Sequence, residues 1–161
     1  RYHRIMSDRS AELVLKISAI VLAIVTPFIL YSVIGPKPSI SSYWNSELQP
    51  LFIMANAITS YFLFSVRKWE LSSLLLMLLT AFSVESFKIT HNAIAILFFL
   101  YNLYPLIDSR RYQGWILPYL LAFGVIPLSL FWAEVVAILS LCGYHAHLLI
   151  DFYRIQLKRD C

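Results

Sequence analysis

The sequence predicts an all-α polytopic membrane protein: a bundle of six transmembrane helices with both termini in the cytoplasm. Three observations carry that prediction. Of the 161 residues, 60% are hydrophobic and only 14% charged, with a mean hydropathy of +0.71. A soluble domain is nearer half apolar and a quarter charged, so the excess points to a bilayer. The apolar runs are cut by short polar or Pro/Gly stretches at regular intervals. Finally, Lys and Arg are concentrated in every second one of those stretches, which places them on one side of a membrane.

The spans follow in order within one domain, residues 1–161. The first is placed at 13–34 after the basic segment with Arg1, Arg4 and Arg9. Lys16 lies near its start and can snorkel to headgroups. Pro27 is tolerated inside a packed membrane helix. This run is too long, and lacks the small-residue site, for a cleavable signal peptide. Gly35-Pro36-Lys37-Pro38 stops the helix, and Tyr43 and Trp44 suit an interfacial belt. The second span is 48–66, closed by Arg67-Lys68-Trp69-Glu70. The third is 71–87 and the fourth 92–107, closed by Asp108-Ser109-Arg110-Arg111. The fifth is 115–130 and the sixth 132–152. A five-span alternative fails, because Trp115–Phe152 is far too long for one crossing.

Orientation follows from the basic residues. With the N-terminus inside, the cytoplasmic segments hold Arg1, Arg4, Arg9, Arg67, Lys68, Arg110, Arg111, Arg154, Lys158 and Arg159. The outer loops hold Lys37 and Lys88. The same tails suit anionic lipid. Cys142 and Cys161 have no spacing of a disulfide framework or zinc knuckle. A glycine-rich phosphate loop and a Gly-x-Ser-x-Gly elbow are missing. No cofactor, no metal and no nucleic-acid partner is expected; membrane lipids, and other membrane subunits, are the expected partners.

The middle of the chain, Val84-Glu85-Ser86-Phe87-Lys88-Ile89-Thr90-His91-Asn92, gathers an acid, a base and a histidine amid hydrocarbon. Ionisable groups at membrane depth are costly and turn inward. The expected outer ligand set is Ser39, Ser41, Glu85, Lys88, His91 and Glu134. Lys88 follows Glu85 by three residues and is expected to pair with it on a continuing helix. One reading of this set is a headgroup or small-ligand pocket. The other is a hydrogen-bonded clamp joining the third, fourth and sixth helices. An inner polar set, His145, His147 and Asp151, lies on the sixth helix. His147 and Asp151 share a face, while His145 points elsewhere. Asn56, Thr59 and Asn102 are further hydrogen-bonding candidates. His145 lies roughly 16 Å deeper than Glu134 at helical rise, so it is expected not to share a site with His91.

Three stretches carry a family resemblance. They are Pro38-Ser39-Ile40-Ser41 with Leu51-Phe52 beyond it, His91 through Phe99, and Ala133-Glu134-Val135 with Asp151-Phe152. In this order they resemble the six-span membrane family of damage-regulated autophagy modulators (DRAM), the yeast Sfk proteins and the GPI-anchor lipid-remodelling proteins. In that family the first loop usually continues with Asp and Gly, where this chain has Ser42-Tyr43-Trp44. The resemblance implies lipid handling and an outer polar site of Ser39, Ser41, His91 and Glu134, to which placement along the chain adds Glu85. It carries over no catalytic mechanism.

The resulting expectation is a non-catalytic, lipid-associated integral membrane protein. Glu85 and Glu134 would accept hydrogen bonds from a headgroup, His91 would donate or accept, and Lys88 would offset the carboxylates. The alternative is a small structural subunit or scaffold of a larger membrane complex. A metal-dependent membrane hydrolase is a third reading, and a channel, needing a polar path from Glu85 to His147, a fourth.

Overall fold

The computed structural model describes the backbone of residues 2–66 and 68–160, and the side chains of 13–66 and 68–155. The side chains of Arg1, Arg4, Arg9, Arg67, Lys158 and Arg159, used above for orientation, lie outside the described residues. The described chain is all helical: α1 Tyr2–Ile34, α2 Gln49–Phe64, α3 Glu70–Ala81, α4 Lys88–Asp108, α5 Ile116–Val125 and α6 Leu130–Asp160. Two 3₁₀ segments, Ile40–Tyr43 and Arg110–Trp115, lie in the connections.

Three stretches are long and apolar enough to cross a membrane: Leu13–Ile34, Lys88–Asp108 and Leu130–Ile155. The helices α2, α3 and α5 are shorter. At 1.5 Å per residue, the 12 residues of α3 reach only about 18 Å. Proline explains part of the shortening. Pro118 sits in the first turn of α5, where its missing amide costs little, whereas Pro127 falls in the turn that follows Val125.

The end of α3 differs from the expectation of a helix through Phe87. Phe82 takes an extended conformation (φ −97°, ψ 105°) and the helix stops at Ala81. The Ser83 hydroxyl accepts the Ser86 amide at 3.2 Å, and the Ser83 carbonyl accepts the Phe87 amide at 3.0 Å. Serine thus offers the backbone a turn in place of the next helical bond. Helix α4 then starts at Lys88, four residues before the expected Asn92.

Neighbouring helices close a ring. Helix α1 packs on α2 and α6, α2 on α3, α3 on α4, α4 on α5, and α5 on α6. Side-chain ties show which connections share an end. At one end, Trp44 Nε1 donates to the Thr80 carbonyl at 2.8 Å, Asn45 bonds Glu85, and the Ile40 amide bonds Glu134. The first connection, the α3–α4 turn and the start of α6 therefore lie together. At the other end, Lys68 pairs with Asp108, and Tyr112 and Arg111 reach Asp151. The helices thus run alternately up and down.

Buried hydroxyls tie the helices together within an otherwise apolar core, and the outside is hydrocarbon. Ser60 and Ser73 bond each other's carbonyls at 2.7 and 2.8 Å, clasping α2 to α3. The Ser72 hydroxyl donates to Asn102 Oδ1 at 2.5 Å, joining α3 to α4. Outward positions such as Val21, Val33, Ile96, Leu97, Leu100, Leu117 and Leu121 are exposed. A water-soluble monomer rarely shows so much contiguous apolar surface, whereas a membrane protein does.

Candidate functional site

The centre of the ring holds a cavity of about 130 Å³. Its walls come from α1, α2, α3, α4 and α6, with Ile40 and Ser41 of the first connection over one end. Small side chains make the room: Ala19 and Ala23 on α1, Ala55 on α2 and Ala95 on α4. Pro27 also lines it and offers no amide to the Ala23 carbonyl one turn earlier.

The cap over that end is fixed from several directions. Gly35 takes φ +90°, a left-handed conformation that ends α1 and suits glycine. The Tyr43 hydroxyl, fully buried, donates back to the Gly35 carbonyl at 2.6 Å. Ser39 and Ser42 share a hydroxyl hydrogen bond of 2.8 Å. Tyr43 packs among Leu30, Phe52, Phe131 and Val135. The Ile40 amide then reaches Glu134 Oε2 at 2.5 Å.

Glu134, nearly buried on α6, is the carboxylate in the cavity wall. Thr26, Asn56 and Thr59 add polar positions along the length, and His145 stands at the far end. Eleven residues of helix separate Glu134 from His145, roughly 16 Å along the axis. The site is therefore long and narrow. The His145 ring is 4.4 Å from that of Trp69 and 5.0 Å from that of Phe62, centroid to centroid. A second cavity of about 110 Å³ lies beyond it, lined by Lys16, Val66, Leu148, Leu149 and Phe152. Ile20, Phe62 and His145 border both spaces.

The residues expected in one outer pocket divide. Ser41 and Glu134 line the cavity, and Ser39 is buried beside Ser41 in the cap. His91 is buried too, but its Nδ1 donates to the Phe82 carbonyl at 2.6 Å and so pins the α3–α4 turn. Glu85 and Lys88 are exposed. Their expected pairing on a continuing helix is corrected by the break after Ala81, and Glu85 bonds Asn45 instead.

The inner set also divides. His145 faces the cavity while the His147 side chain is half exposed, its Nε2 3.9 Å from Asp151 Oδ2. Asp151 is buried and accepts the Tyr112 hydroxyl at 2.9 Å, with Arg111 at 3.0 Å. Sequence spacing does not point to Arg111 and Tyr112 as its partners. The available signal was that both ends lie on the same expected membrane face. Burial, with the Asp151 carboxylate second, pushes the Tyr112 hydroxyl above its ordinary pKa. Among the described residues, no three His, Cys, Asp or Glu side chains gather closely enough to hold a metal ion.

Comparisons with protein-family models, with curated proteins and with solved structures find no match to this chain.

Proposed function

We propose that this protein crosses the membrane six times, with both termini in the cytoplasm, and holds one single-chain lipid or similar amphiphile inside its helical ring. The cavity carries the reading: a narrow apolar space, closed over by the first connection, with one carboxylate at its outer end. The headgroup sits against Glu134 and Ser41, and the chain lies along the alanine-lined space. Glu134 Oε2 already accepts the Ile40 amide, so its other oxygen is the acceptor offered to a ligand. The alternating ties at the two ends of the ring support six crossings.

The source of affinity follows from the solvent. A chain leaving the bilayer gains no hydrophobic transfer energy on entering an apolar cavity. It gains close contacts along the walls of the cavity. Hydrogen bonds at Glu134 supply the rest and select the headgroup. The role is binding rather than chemistry.

Native mass spectrometry from mild detergent tests this. One lipid per chain is expected in the wild type. Ala55→Leu, which fills the cavity, and Glu134→Ala, which removes the carboxylate, should each lose it while helicity is kept. Lipid retained undiminished in Ala55→Leu would show that it binds on the outside.

A further inference from the structure

His145, in the wall at the inner end of the cavity, carries a polar atom that has no hydrogen-bond partner among the described residues. His145 is 5% exposed, and its Nε2 is buried with no hydrogen-bond partner. Around it stand the aromatic rings of Phe62, Trp69 and Tyr144, which offer π faces and edges rather than a lone pair or an O–H aimed at that nitrogen. Leaving such a group unpaired costs about 1–3 kcal/mol, and folded proteins rarely leave one so. A purely hydrocarbon chain would not relieve that cost, because it brings no hydrogen-bonding atom to the end of the space.

The chemistry of the missing partner is narrow. A neutral imidazole nitrogen either donates or accepts, depending on the tautomer. A hydroxyl both donates and accepts, so it fits either one. It also carries no charge into a wall of hydrocarbon, where a carboxylate or an ammonium would be expensive. Water is the competing occupant, but a buried water needs two to four polar partners. Ile20, Phe62 and His145 line both this cavity and the one beyond it.

We infer that His145 forms a hydroxyl-binding subsite, so that the ligand is a long-chain amphiphile with its head at Glu134 and a hydroxyl at the remote end, roughly 16 Å away. This inference rests on the proposed chain-binding role and names the ligand class within it. His145 then measures the length of the chain and reads its terminal oxidation. A chain without the hydroxyl enters but leaves Nε2 unpaired.

The test compares dodecanol with the corresponding terminal diol, titrated into the full-length purified protein and read by native mass spectrometry. Wild type is expected to take up both, at one per chain. The ratio of diol to alcohol binding should fall about five- to tenfold in His145→Leu, the worth of one hydrogen bond. Dodecanol uptake by the variant shows that the cavity has survived, and the ratio of the two ligands cancels any change in the wall that affects both. His145→Gln, which keeps a donor and an acceptor, should hold most of the preference. An equal ratio in wild type and His145→Leu overturns the subsite and leaves chain binding intact. Water alone on Nε2 in a structure saturated with the diol overturns it as well. Failure of the wild type to bind either molecule removes the chain-binding role together with the subsite.

Discussion

Glu134 and Ile40 stand 94 residues apart in the chain, yet the Glu134 carboxylate accepts the Ile40 amide at 2.5 Å. That bond fastens the first connection over the cavity and fixes one oxygen of the only carboxylate among its lining residues. Glu134→Ala leaves the amide without its acceptor and should cost about 1–3 kcal/mol, or several degrees in Tm for a chain of this size. Glu134→Gln retains a carbonyl oxygen and should lose much less. Thermal unfolding in detergent separates the two, and equal losses would mean that the bond does not hold the cap.

Gly143 on α6 faces the Trp115 ring so closely that an added Cβ would overlap it. Gly143→Ala should therefore destabilise by about 1–3 kcal/mol through overpacking. Trp115→Leu should relieve part of that loss, so the double variant is less damaged than the sum of the singles. Additive losses would contradict the close approach.

The Ser60–Ser73 clasp predicts a coupling between α2 and α3. Each serine donates to the carbonyl of the other. Ser60→Ala and Ser73→Ala should couple by about 0.5–1.5 kcal/mol in a double-mutant cycle of unfolding in mixed micelles. Zero coupling would place the two helices otherwise.

Tyr112 gives the pH dependence. Its hydroxyl donates to Asp151, and burial with that carboxylate raises it above the ordinary value of 10.0. A raised pKa gives stability that is fully present below pH 10 and is lost as pH rises through the folded value. Wild type should therefore lose stability relative to Tyr112→Phe as pH rises above 10. At neutral pH Tyr112→Phe should cost about 1–2 kcal/mol. Arg111→Ala should cost little, because that side chain is 64% exposed. Parallel alkaline profiles for wild type and Tyr112→Phe would sink the assignment.

Six crossings predict a labelling pattern. In a Cys161→Ser background, with Cys142 buried, Asn45→Cys and Glu85→Cys should react with an impermeant maleimide from outside. Asp108→Cys and Gln113→Cys should react only after permeabilisation. Labelling of Asn45→Cys and Asp108→Cys from one side would contradict the alternation.

The long helices were legible because hydrocarbon runs such as 13–34 admit few other structures. The early stop of α3 was not. Ala81 through Phe87 reads as further apolar helix, and the turn depends on how the Ser83 hydroxyl competes for the backbone. Glu134 stood out as an acid inside an apolar run, but its partner is a backbone amide, which leaves no mark in a sequence. For His145 the spacing showed that it points away from His147. It could not show that the cavity extends from Glu134 to that ring, because the space is made by alanines on three other helices.

Photolabelling with a long-chain alcohol bearing a diazirine on its chain tests the central claim most directly. Labels mapped by mass spectrometry should fall on cavity residues such as Ala55, Ile138 and Leu141, and Ala55→Leu should abolish them. Labels confined to Ile96, Leu97 and Leu100 on the outer face would show that the chain stays in the bilayer and that the ring holds no lipid.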